Sequence, residues 1–378
     1  MRFLEKCIFF VMKCKEIIKY LDDWAPPGIA WDRDNVGLQV GSPEAEIQKI
    51  LICLELTPEI LKESLEKSCN LIITHHPFLF KGLKKINLAS DKTSQLLASL
   101  IKNDINLISY HTNLDFTKSG VSFQLAEQLQ LNSVKFLTPL EAKQSKIVVF
   151  VPTESAESVS EAVFAVGEGI IGEYSECSFS SEGIGTFKGS ESSNPQKGTK
   201  GILERVNEQR LEFICSNWNI SKVINAIKAF HPYEEPAIDV YPLSNNTTNS
   251  GVGAIGLLKT PMQQEDFFAY IASRLKIKNF RFMRSNQKLI HRVAVCGGSA
   301  SECIPDAIAQ KADAFITADI KYHSFHDAHN LICLVDAGHY ETEVAILPEI
   351  ARRLKENFSS IADDIFVTRQ STNVIEFY

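Results

Sequence analysis

Short runs of consecutive apolar residues alternate along this chain with stretches in which apolar positions recur every three to four residues. The first pattern, bounded by turn residues, marks buried strands, and the second marks amphipathic helices. Residues 14–24 predict a helix stopped by Pro26-Pro27-Gly28. Residues 49–56 (KILICLEL) predict a strand, 58–66 a helix, 70–74 a second strand, 92–103 a helix and 105–110 a third strand. The pattern resumes with strands over 292–296, 314–317 and 331–335, each followed by polar residues or glycine and then a helical stretch. Strands alternating with such helices imply βαβ units and a mostly parallel sheet. Residues 12–136 and 251–378 are therefore expected to form one α/β core.

Residues 137–250 have a different rhythm: strand 146–151, helix 158–166, a Ser/Gly-rich hairpin over 174–188, strand 210–215, helix 220–230 and strand 237–241. This is the β-α-β-β-α-β order of a ferredoxin-like unit. It exits through SNNTTNSG, a linker by composition, so the segment reads as an inserted α+β domain. At the start, MRFLEKCIFFV is too short for a signal-peptide core or a membrane span. The expectation is that translation starts at Met12 and that 1–11 is a non-structural extension.

A length of 378 residues exceeds one typical domain. With 44% hydrophobic and 22% charged residues, the composition is that of a globular protein with sizeable cores. The net charge of −7 argues against a surface that neutralises phosphates, so nucleic acid is not an expected partner. No stretch reaches the length of a bilayer span, and a cytoplasmic location with no membrane partner is expected. The nine cysteines contain no C-x-x-C pair, and Cys53, Cys296 and Cys333 lie within apolar runs. They read as free, buried thiols in a reducing compartment.

The chemistry lies where the apolar runs stop. His75-His76 follow LIIT, His111 and Asp115 follow LISY, and Asp336, His339 and Glu343 follow LICLV. Residues just beyond the carboxyl ends of parallel strands line the ligand crevice of an α/β sheet. A mixture of imidazole and carboxylate suits borderline metals such as zinc. Pro77 forces His76 into an extended conformation, and neighbours in extended chain point opposite ways. The pair therefore fits two ions, or one ion and a hydrogen-bond partner. Asp115 can bridge two ions, as two-metal hydrolysis requires, although a turn cap explains it as simply. His339 and Glu343, four apart, share a helix face, whereas Glu341 lies about 200° round from His339 and suits a cap at the helix start.

Asp319 and His323 adjoin another strand end and are expected in the pocket, with His326 and His329 on the surface. Gly297 and Gly298, in VCGGS, follow a strand where a glycine-rich turn can cradle phosphate. They lack the Walker lysine and the full dinucleotide fingerprint, and a plain tight turn explains them equally. Asp34 and Asn35 occupy a polar loop, 32–41, and offer hydrogen-bonding groups or simply a turn.

Taken in order, DNVGLQVG (34–41), THHPFLF (74–80), HTNLD (111–115), VCGGS (295–299), DIKYH (319–323) and GHYETE (338–343) resemble the Nif-three-like dinuclear-metal family. Its members are commonly described as GTP cyclohydrolase 1 type 2. FHPYEEPA (230–237) is similar to the signature of the extra domain in longer members, a PII/CutA-like fold. The resemblance implies two divalent ions (zinc, manganese or iron) on His75, His76, Asp115, His339 and Glu343, with Asp115 as the bridge. It also implies a ring-shaped homohexamer and a small-molecule substrate, GTP, whose purine imidazole ring is opened by water to a formylated product. In that scheme His111 or His323 would shuttle protons, while Asn35, Asp319, Gly297 and Gly298 would meet substrate, the glycines at its triphosphate. The rival expectation is a metal-binding regulatory or scaffold protein whose inserted domain senses a small ligand.

Overall fold

Contacts divide the chain into two units, one made of the part up to Pro139 together with the part from Asn249 onward, the other of Leu140–Thr248. The computed structural model describes residues 12–377 except 142, 173, 195 and 197, so the extension expected over 1–11 lies outside the described residues.

The first unit opens with α1 (Cys14–Trp24), which buries Cys14, Ile17 and Leu21 on one face. There follow β1 (Gly37–Val40), β2 (Ile50–Cys53), α2 (Pro58–Lys67), β3 (Leu71–Thr74), α3 (Lys92–Lys102), β4 (Asn106–Ser109), the single turn α4 (Thr112–Asp115), α5 (Val121–Gln128) and β5 (Asn132–Glu141). Every residue of β2, β3 and β4 is buried, as covering both faces of a parallel sheet demands, and this is why the three read as unbroken apolar runs. The helices between them start on local signals. The Thr57 side chain accepts the Ile60 N–H with Pro58 in the first turn of α2, and Asp91 accepts the Ser94 N–H to cap α3.

The second unit comprises β6 (Gln144–Pro152), α6 (Ala156–Ala165), β7 (Ser178–Lys188), β8 (Leu203–Ser216), α7 (Ile220–Phe230) and β9 (Ile238–Pro242). Its sheet runs β9-β6-β8-β7 with antiparallel neighbours throughout, and its core sets Ile147, Val149, Leu211 and Phe213 against Val159, Val163, Val223 and Ile227. Residues 174–188 do not fold back into a hairpin. Continuous pairing with β8, from Ser178 opposite Phe213 to Lys188 opposite Leu203, overrides the local turn chemistry of the serines and glycines.

The chain returns to the first unit through β10 (Asn246–Gln263), α8 (Gln264–Leu275), β11 (Arg281–Met283), β12 (Leu289–Ser299), α9 (Ile304–Ala309), β13 (Ala314–Ala318), α10 (Tyr322–Asp327), β14 (Cys333–Asp336), α11 (His339–Glu343), α12 (Ile346–Asn357) and β15 (Ile365–Val367). The α/β core of this unit is divided over two sheets, β1-β4-β3-β2-β15 and β11-β14-β13-β12-β10-β5. In the first, β15, β2, β3 and β4 are parallel; in the second, β12, β13 and β14 are parallel. The final strand thus belongs to the first sheet, with Ile365 beside Ile50. All described cysteines are free thiols, and all but Cys177 are buried. Among the described residues, no helix is long and apolar enough to cross a membrane.

Candidate metal centre

The carboxyl ends of the two parallel strand sets deliver one cluster of imidazoles and carboxylates. His75 and His76 leave β3, His111 follows β4, Asp115 closes α4, and His339 and Glu343 begin and end α11. His75 is fully buried, and its Nδ1 lies 2.8 Å from the Tyr110 carbonyl oxygen. A carbonyl only accepts, so Nδ1 carries the proton and Nε2 presents a lone pair. The other rings are held the same way, by carboxylates. His76 Nδ1 is 2.9 Å from Glu55 Oε1, His111 Nδ1 is 3.0 Å from both oxygens of Asp34, and His339 Nδ1 is 2.6 Å from Asp319 Oδ2. Asp34 is itself fixed by the Thr112 N–H and hydroxyl.

With each Nδ1 occupied, the opposite ring edges converge. His75 Nε2 lies 3.6 Å from Asp115 Oδ1 and 3.7 Å from Glu343 Oε1, His76 Nε2 lies 3.0 Å from Glu343 Oε2, and His339 Nε2 lies 3.1 Å from Glu343 Oε1. The His111 ring centroid is 5.4 Å from that of His75 and 5.5 Å from that of His76. Two sets of potential ligand atoms result, His75/His76/His111 and His76/His339/Glu343, with His76 common to both. Two buried atoms at the focus, His75 Nε2 and Asp115 Oδ1, make no hydrogen bond. Leaving such atoms unpaired is expensive, and lone pairs aimed at one another are what a cation would satisfy. The donor set of imidazole nitrogens and carboxylate oxygens fits divalent first-row ions. Nδ1 contacts of this kind are the usual support for a metal-bound histidine.

The electrostatics fit the same need. Burial pushes the Asp115 carboxyl up, to about 7, and the charge of Glu343 adds to the effect. Burial also works against the charge on Glu343, but His339, His75 and His76 together hold its carboxyl well below the usual carboxylate range. His76 loses by burial and gains more from Glu343 and Glu55, reaching about 10, while the Glu343 contact takes His339 to about 9. Protons on these two rings therefore compensate the buried acids, and a metal ion must displace them.

The remaining sequence candidates divide. Gly297 and Gly298 sit at the end of β12 but offer no phosphate cradle: the Gly297 N–H donates to Ser122 Oγ and the Gly298 N–H to Thr342 Oγ1. Glycine serves there as a gap, since a Cβ on Gly298 would lie 2.4 Å from Glu343 Oε1. Asp319 holds His339. The Asn35 amide donates to the Leu79 carbonyl, tying together two loops; the second loop carries Phe80, whose ring meets His111 edge-on at 6.5 Å. His323 is exposed on α10 with its ring against Tyr322 and belongs to neither ligand set, and His326 and His329 are also exposed. Glu341 accepts from the Asn373 amide and curls over Gly338. Glu55 and the Tyr110 carbonyl escaped sequence reasoning. Glu55 stands two residues past the end of β2, so the strand-end rule that found the histidines applies to it as well.

Comparison with known proteins places these residues in a wider group. The family model described as Duf34/NIF3 (NGG1p interacting factor 3) matches residues 12–374. A Bacillus subtilis protein named GTP cyclohydrolase 1 type 2 homolog is 35% identical over 367 residues, 96% of this chain and 98% of that relative. A Listeria monocytogenes protein of the same name is 38% identical over 328 residues, 86% of this chain and 87% of its own. Among solved structures, a Bacillus cereus protein related to NIF3 superposes with a TM-score of 0.81 at 36% identity, covering 97% of this chain and all of that one. The Staphylococcus aureus protein SA1388 gives 0.75 at 29% identity, covering 97% and 99%.

Proposed function

This chain belongs to the Duf34/NIF3 family, and on that premise we propose that it is a dinuclear-metal-dependent hydrolase of the GTP cyclohydrolase type, in which water opens the purine imidazole ring of GTP and leaves a formylated product. The observation that carries the reading is the pair of buried, unpaired atoms, His75 Nε2 and Asp115 Oδ1, beside the Glu343 carboxylate at the focus of four pre-oriented imidazoles. In the proposal His75, His76, His111, Asp115, His339 and Glu343 would hold two divalent ions. Divalent ions, when bound, supply water whose pKa is lowered toward about 7, so no strong protein base is required.

The protein's own part is orientation. Tyr110, Glu55, Asp34 and Asp319 fix the four rings. His111, immobilised by Asp34 and grouped with His75 and His76, is assigned as a ligand in place of a proton shuttle. Phe80, half-exposed against His111, offers an apolar face to a planar heterocycle beside that ring. A homohexamer in the cytoplasm completes the proposal, and light scattering at six times the 42.3 kDa chain mass checks the assembly.

The functional test is direct. Metal-replete protein incubated with GTP should release formate or accumulate a ring-opened formyl product, and Asp115→Ala should abolish both. If the wild type yields neither product, the cyclohydrolase assignment is wrong.

A further inference from the structure

The chain does not end at β15. Residues 368–377 continue as irregular chain, pinned at the start where the Thr368 N–H donates to the Ile52 carbonyl and its hydroxyl to Glu63 Oε2. Beyond that point the segment has almost nothing to bury: Val374 is 91% exposed, and Ile375 and Phe377 are more than half exposed. An irregular segment without apolar burial has no packing reason to keep one position. Thr372 and Asn373 are nevertheless half-buried, and each meets a carboxylate beside the metal centre. The Thr372 hydroxyl donates to Glu55 Oε2, and the Asn373 amide donates to Glu341 Oε1 at 2.8 Å.

We infer that this C-terminal strap is part of the apparatus that positions the metal ligands, with Thr372 orienting Glu55 and Glu55 orienting His76. The inference rests on the metal reading above and adds residues to it. Glu55 takes His76 Nδ1–H on Oε1 and the Thr372 hydroxyl on Oε2. The last torsion of a glutamate is broad, so a carboxylate held by one oxygen swings and lets the imidazole it supports swing with it. Tied at both oxygens, the carboxylate plane is fixed, and with it the direction of His76 Nε2. His76 is the ring common to both ligand sets, so its orientation affects both positions. Asn373, by donating to Glu341 on α11, holds the segment down next to Thr372. Thr372 touches no ligand atom directly; it is a positioning residue.

Cobalt(II) provides the test, because its visible absorption reports ligand geometry independently of catalysis. Full-length wild type, Thr372→Val, Thr372→Ser and Val374→Ala would be titrated against a chromophoric chelator and their absorption bands compared. Loss of a partner one bond outside a metal ligand weakens binding by about 10–100-fold, so Thr372→Val, one step further out, should weaken it by about 3- to 10-fold and shift the bands. Thr372→Ser should restore both, and Val374→Ala should change neither. Thermal melts of the metal-free proteins establish that the variants fold. Wild type that binds cobalt alongside an indistinguishable Thr372→Val, or a Thr372→Ser that fails to recover, overturns the inference and leaves the metal reading intact. Wild type that takes up no cobalt overturns the metal reading itself, and this inference with it.

Discussion

Gly298→Ala should disable the metal centre while leaving the fold standing. Gly298 adopts φ +63°, and a Cβ there would lie 2.4 Å from Glu343 Oε1 and 3.3 Å from His339 Nε2. Ordinary contacts between heavy atoms lie at about 3.5 Å, so the Glu343 oxygen must retreat by about 1 Å. Glu343 is 3% exposed, so its oxygen cannot retreat into solvent. The left-handed backbone alone costs an alanine about 1–2 kcal/mol. Gly37 supplies the control, because it has φ +93° with nothing within 4 Å of the added Cβ. In urea melts of metal-free protein Gly37→Ala should lose that backbone cost alone, and Gly298→Ala at least as much. Only Gly298→Ala should weaken divalent-ion binding, toward the upper end of the range of about 10–100-fold seen when the support of a metal ligand is disturbed. Chelator competition reads the difference. Unchanged affinity in Gly298→Ala, or an equal loss in Gly37→Ala, refutes the argument that backbone approach to Glu343 matters.

Two further outcomes follow from the same geometry. In metal-free protein the raised pKa values of His76 (about 10) and His339 (about 9) contribute stability that is complete below their ordinary 6.5 and lost as pH rises through 9 to 10, while the raised Asp115 carboxyl withdraws stability between 3.8 and about 7. Melting with a chelator present should accordingly fall as pH rises from 6 to 10, and the shift produced by added metal should grow over the same window, since ions bind the deprotonated ligands. Asp34→Asn should weaken metal binding by about 10-fold or more by freeing His111, whereas His323→Ala should leave it unchanged in the same titration.

Most of the cluster was legible because its residues obey one rule: they follow buried parallel strands. His75, His76, His111, Asp115, His339 and Glu343 all stand just past apolar runs, and the helical spacing of His339 and Glu343 places them together. Partners defined by tertiary contact were not legible. Glu55 and Thr372 are 317 positions apart, and no local periodicity links them. The Tyr110 contribution is a carbonyl, to which side-chain identity is silent. For the same reason the division of the core into two sheets stayed hidden: apolar runs show that strands are buried on both faces, but the pairing of β15 with β2 across the whole unit leaves no trace in either segment. Gly298, near the end of β12, was visible as part of a turn signal, yet its purpose, room for the Glu343 carboxylate, depends on a residue more than forty positions on.

The number of ions held per chain bears most directly on the central claim. Protein saturated with a divalent metal, freed of excess by dialysis and measured by elemental analysis should carry two ions per chain, with His76→Ala losing both because that ring is common to the two ligand sets. Wild type that retains no divalent ion, or His76→Ala that retains the full complement, would contradict it.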